Sequence, residues 1–129
     1  MSKIQRVNPD GMMSSPAFAQ AIITEGSGKT IYIGGQNAVN QKNELIGKGD
    51  LAAQTEQVLT NIQTALEACG ATFDHVVKMT IYLVQGQDPR IGFGAAQKFI
   101  TAPPTISVVM VAGLGNPDFL LEMDAVAFV

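Results

Sequence analysis

An α+β sandwich, a mainly antiparallel β-sheet with two helices packed on one face, is the fold class this sequence predicts, on three observations. Short β-branched runs recur along the chain, an 18-or-so-residue amphipathic stretch interrupts them, and Gly/Pro/Asn clusters separate the segments. The chain has 129 residues, enough for one domain with its own core, and no internal repeat, linker or low-complexity tract divides it.

The elements follow in order. Ile4–Val7 reads as a short first strand. "AFAQAIIT" and "TIYIGG" are β-rich runs separated by "EGSGK", which predicts a hairpin. "QNAVNQKNELIGKGD" is polar and Gly-bearing, hence loop. Asp50 is a plausible N-cap for a helix through "LAAQTEQVLTNIQTALEACG" that ends at Gly70. Val58, Ile62 and Leu66 fall four apart, and Leu59 and Cys69 broaden that buried stripe. Gln54, Glu56, Asn61 and Gln63 are assigned to the opposite, solvated face. "HVVKMTIYLV" predicts a central strand, and "RIGFGAAQKFI" after Pro89 a shorter helix weakened by Gly92 and Gly94. "ISVVMVA" and "FLLEMDAVAFV" are two closing strands joined by the turn "GLGNPD".

Composition narrows the function classes. Apolar residues make up 47% and charged residues 15%, low for a solitary soluble domain, so an apolar sheet face is expected to meet another subunit. A net charge of -3 offers no basic footprint for nucleic acid. No apolar run approaches the roughly 18 residues of a membrane span, and "MSKIQRVNPDGMM" lacks a secretory h-region. The single Cys69 has no intramolecular disulfide partner, which suits a cytoplasmic location, and it reads as a small buried side chain.

Glu122 is the principal candidate for chemistry. In a strand, Leu121, Met123, Ala125 and Ala127 share one apolar face, while Leu120, Glu122, Asp124, Val126 and Phe128 share the other. A carboxylate on such a face, once covered by a subunit contact, is placed to hold a water or move a proton; on an exposed edge strand it is only a solvated charge. His75 has no second His or Cys at ligand spacing, so no metal site is expected, and a turn histidine is the simpler reading. Thr105 and Ser107 lack a nearby base, and Arg90 behind Asp88-Pro89 reads as a solvated cation. "IGGQ" and "GFG" match no phosphate-loop spacing.

Several segments together resemble the RidA/YjgF family, also labelled endoribonuclease L-PSP. "QRVNPDGM…SPAFAQAI" is similar to its amino-terminal strand and loop, and "IYIGGQ" to its Gly-Gln segment. "ALEACGATFDHVVKMTIYLV" carries the most specific likeness, and "VAGLGNPDFLLEMDAVA" resembles the closing motif. The resemblance implies a chorismate-mutase-like fold assembled as a homotrimeric barrel, with clefts for a small-molecule ligand between neighbours and no cofactor. It implies hydrolysis of enamines and imines to a keto acid and ammonia, with an Arg clamping the substrate carboxylate and a Glu assisting water. Carried over, the Glu falls on Glu122, the Gly-Gln on Gly35 and Gln36, the preceding Ser on Gly34, the first-strand Tyr on Phe18 and the Arg on Ile106, next to Ser107.

Ile106 is the departure that matters. A guanidinium fork holds a carboxylate in two charge-assisted bonds. Its loss in a desolvated cleft costs on the order of 2–5 kcal/mol, roughly thirtyfold or more in affinity. Glu122 would also repel an anion. The usual 2-imino acid deamination is therefore not expected. Two readings remain: a hydrolase of neutral or differently charged metabolites, with Phe18, Ile106, Val108 and Met110 as an apolar wall, or a ligand-binding or interaction trimer without chemistry. A ribonuclease, the activity named in the family label, is disfavoured by the acidic balance and the single His.

Overall fold

The computed structural model describes residues 3–129. The elements are β1 (Lys3–Val7), β2 (Ala21–Glu25), β3 (Thr30–Gln36), α1 (Leu51–Ala68), β4 (Val76–Val84), α2 (Pro89–Ala96), β5 (Thr105–Val111) and β6 (Leu121–Phe128). This is the expected α+β order, with both helices on one side of a four-stranded sheet in the sequence β3-β6-β4-β5. The β3–β6 and β4–β6 pairs are antiparallel, whereas β4 and β5, joined through α2, run parallel. A helical crossover is what parallel neighbours require.

The predicted hairpin across "EGSGK" does not form. β2 pairs antiparallel with β1 in a separate two-stranded sheet. The start of β3 is instead paired with the end of β6: Lys29 N–H donates to the Val129 carbonyl at 2.7 Å, and Val129 N–H returns the bond at 3.0 Å. The turn residues are present, but each strand finds its hydrogen-bond partner elsewhere.

α1 begins where Asp50 accepts a bond from Ala53 N–H at 3.1 Å, satisfying one of the orphan donors of the first turn. It ends before Gly70, whose φ of +78° only glycine adopts without strain. Leu51, Val58, Leu59, Ile62 and Leu66 are buried against the sheet, as the periodicity requires. Two assignments on this helix are corrected. Gln54 is not solvated but fully buried, and Cys69, just past the last helical residue, is exposed rather than buried. Gln54 compensates its burial with three bonds: Nε2 donates to the carbonyls of Gly47 (3.1 Å) and Asp118 (3.0 Å), and Oε1 accepts from Leu120 N–H at 2.9 Å. A buried amide with full pairing is tolerated, and here it ties α1 to the entrance of β6.

The alternation of β6 follows the expected pattern. Leu121, Met123, Ala125 and Ala127 are buried under the helices, while Glu122, Asp124 and Val126 stay half-exposed on the open face.

Candidate functional site

The open face carries the carboxylates. Glu122 stands opposite Tyr82, and Asp124 opposite Thr80, in the β4–β6 register. Ser107 lies beside Thr80 on β5, so it shares this face one row away from Glu122. Tyr82 donates its hydroxyl to Asp124 Oδ2 at 3.3 Å. Its pKa is raised above the ordinary 10.0, mainly by the Asp124 charge, then by desolvation, the hydrogen bond to Asp124 and the Glu122 charge.

A bulge brings Glu122 against β3. Between the pairs Ile33–Ala125 and Gln36–Met123 the register slips, which leaves Gly34 and Gly35 out of the regular ladder. A Cβ on Gly35 would lie 2.5 Å from Glu122 Oε2 and 2.9 Å from Cδ, so this position admits no side chain while the carboxylate keeps its place. Gly34 faces open space, and Gln36 turns back to donate to the Gly34 carbonyl at 3.1 Å. The other Glu122 oxygen is held: Asn37 Nδ2 donates to Oε1 at 3.2 Å. Asn37 is anchored in turn, because its carbonyl accepts from Asn61 Nδ2 on α1 at 3.2 Å. Sequence reasoning missed Asn37. Its place directly after the Gly-Gln segment was visible, but not the bulge that turns it toward β6.

Ile106 is on the opposite face. It pairs with Met79, which is fully buried, and so points toward the helices. There a cleft of about 250 Å³ opens between the sheet and α2. Ile106 and Val108 form its β5 wall, Leu83 and Leu121 its floor, and Phe93 of α2 its far side. Pro16 and Ala17, ahead of β2, also line it. That segment is fixed nearby, since Ala19 N–H donates to the Pro104 carbonyl at 2.9 Å, just before β5. Phe18 and Met110, expected in the same wall, are not among the lining residues. The anticipated site therefore divides within one chain. Glu122, Gly34, Gly35, Gln36 and Ser107 belong to the open face or its β3 edge; Ile106 belongs to the cleft beneath the helices.

The remaining candidates have local roles. His75 Nδ1 accepts from Thr72 N–H at 3.0 Å and closes the capping box of a 3-10 turn. Arg90 is 88% exposed in its side chain and bound to its own neighbour Asp88 at 2.9 Å. That pairing holds Asp88 below the usual carboxylate range, chiefly through the side-chain hydrogen bond, and leaves no cation directed into the cleft. Among the described residues no group of three or more His, Cys, Asp or Glu is arranged to hold a metal ion, and no helix is long and apolar enough to cross a membrane.

Comparison with known proteins gives the family of the chain. The family model described as Endoribonuclease L-PSP matches residues 11–129. A RutC family protein of Pyrococcus horikoshii is 36% identical over 112 residues, covering 86% of each chain. The 3-aminoacrylate deaminase RutC of Acinetobacter baylyi is 31% identical over 122 residues, 94% of each chain. The crystal structure of a Rid-family protein of unknown function from Yersinia pestis superposes with a TM-score of 0.87 at 33% identity, over 98% of both chains. The chain belongs to the endoribonuclease L-PSP family, whose members also carry the RutC and Rid names.

Proposed function

We propose that this protein is a cytoplasmic homotrimer that hydrolyses small uncharged imines, enamines or related carbonyl and amide compounds, with Glu122 orienting the attacking water. One observation carries the reading: a carboxylate held by Asn37 on one face of the sheet, and an apolar cleft containing Ile106 on the other. A single chain does not bring the two together. The outer strands β3 and β5 are the unpaired edges of the four-stranded sheet among the described residues, and Glu122 with Gly35 lies by β3 while the cleft lies by β5. A ring of copies that lays the open face of one, at its β3 side, over the mouth of the next copy's cleft, at its β5 side, joins the halves, and a closed cyclic assembly does this three times over. Deaminase chemistry is drawn from the Acinetobacter relative, whose name states it.

The proposed step balances with water alone. Glu122 accepts a proton as the water oxygen bonds to the imine carbon and returns it to the imine nitrogen, giving a carbinolamine; the hydroxyl proton then passes through Glu122 to the same nitrogen as the C–N bond breaks, and ammonia leaves a carbonyl product. Asn37 fixes the carboxylate so that one oxygen stays directed at the water. Ile106 removes the cation that would hold a carboxylated substrate, so the substrate is neutral. The same apolar lining favours, as a second reading, a ligand-binding trimer without chemistry.

Imine decay separates them. Amine oxidase acting on benzylamine releases a neutral imine, and amino-acid oxidase releases 2-imino acids. The expected result is faster decay of the neutral imine only, lost in Glu122→Gln. No acceleration of either by folded protein would overturn the hydrolytic reading and leave the binding one.

A further inference from the structure

We infer that the cleft under α2 selects a neutral ligand with a single ring or a branched alkyl body and one hydrogen-bonding group, and rejects its carboxylated counterpart. The inference rests on the proposed small-molecule reading of the same site and goes further by fixing the ligand's size, charge and polarity. Size follows from volume. An engineered apolar cavity of about 150 Å³ accepts benzene, so a cleft of about 250 Å³ accommodates one ring with a short substituent and not two fused to a chain. Charge follows from the lining. Ile81, Leu83, Phe93, Ile106 and Val108 are all apolar, no described residue that this chain gives to the lining is ionisable, and the Glu122 that a neighbouring copy brings adds only negative charge. An anion entering here loses its hydration and gains no counter-charge. The two cations in or beside α2 are committed elsewhere: Arg90, in its first turn, to Asp88, and Lys98, next to Gln97, to Glu56.

Polarity follows from one residue. Gln97, exposed and directly after the last residue of α2, is, among the described residues that this chain gives to the lining, the one with a polar side chain. Its carboxamide offers both a donor and an acceptor. The favoured ligand therefore buries its apolar body against Ile106 and Val108 and presents an amide, imine or carbonyl group toward Gln97. Pockets that pair an apolar body with few polar contacts orient their ligands in this way.

Benzamide and benzoate test the inference directly, because they share one shape and differ in charge. Calorimetric titration of the full-length protein at neutral pH is expected to show benzamide binding at least about tenfold tighter than benzoate. Ile106→Arg is expected to reverse the order, with benzoate gaining about thirtyfold. Val108→Phe, at a partly exposed position that tolerates the change, is expected to fill the cleft and abolish benzamide binding while the circular dichroism spectrum stays native. Equal or tighter binding of benzoate to the wild type overturns the inference, as does no binding of benzamide, or benzamide binding unchanged in Val108→Phe. Hydrolysis of neutral imines without benzamide binding would sink this inference and spare the hydrolytic reading; benzamide binding without hydrolysis would do the opposite.

Discussion

Replacing Gln54 by Leu keeps the side-chain volume close to native and removes all three of its hydrogen bonds. The cost depends on which partners are then left alone. The Gly47 carbonyl keeps a bond from Asp50 N–H at 2.9 Å. The Asp118 carbonyl and the Leu120 N–H have Gln54 as the partner that the fold supplies. Each fully buried orphan costs about 1–3 kcal/mol. Both residues are only half-buried, so partial hydration lowers the sum to about 2–4 kcal/mol, less a small gain from the more apolar side chain. For a chain of this size that corresponds to a fall in Tm of roughly 6–16 °C. Urea unfolding and thermal melts of both proteins at the same fixed concentration measure it. A loss below about 0.5 kcal/mol would refute the argument that these bonds are needed at the entrance to β6, since an unremarkable surface change has that size.

Three further outcomes follow from the site. Gly35→Ala has no backbone conflict, but its Cβ falls 2.5 Å from Glu122 Oε2, so the carboxylate must move; the rate of neutral-imine hydrolysis should drop by about a hundredfold with Tm nearly unchanged, and an unaltered rate would dissociate Glu122 from the chemistry. Tyr82 should ionise above the ordinary 10.0 because Asp124 opposes its negative charge. The unfolded chain then ionises first, so stability is complete below pH 10 and declines as pH rises toward the folded-state value. Absorbance titration, with Tyr82→Phe to isolate the Tyr82 transition, should show that transition moving down in Asp124→Asn; an unmoved transition would contradict this. Asp50→Ala should cost about 1 kcal/mol by urea denaturation, because it removes the acceptor for Ala53 N–H, and no loss would mean another group caps α1.

Much of the fold was legible because it follows periodicity. The alternation of Leu121, Met123, Ala125 and Ala127 and the stripe of Val58, Ile62 and Leu66 are properties of neighbouring residues, and burial obeys them. Gln54 shows where residue type misleads: it lies four residues before Val58, on the buried stripe, and only its polarity argued for solvent. Cys69 shows the reverse, since its spacing continues the stripe but the helix has already ended at Ala68. The partners of β2 and β3 were illegible, because a turn motif records that the chain reverses and not which strand lies alongside. The division of the site was partly readable. Ile106 and Ser107 are adjacent in one strand and must face opposite ways, yet only the register with Met79 tells which of them lies under the helices. Asn37 was hidden for the same reason, as its bond to Glu122 spans 85 positions in sequence.

Mixed assemblies give the most direct test of the idea that the carboxylate of one copy serves the cleft of the next. Glu122→Gln and Val108→Phe chains, carrying different tags, are each expected to be inactive alone on the neutral imine. Co-expressed in equal amounts, the two chains of the proposed trimer should combine so that about three quarters of the rings are mixed, each with one junction of an intact glutamate beside an open cleft, and about a quarter of wild-type activity should return. Activity no higher than that of either parent would place both halves in one chain and contradict the account.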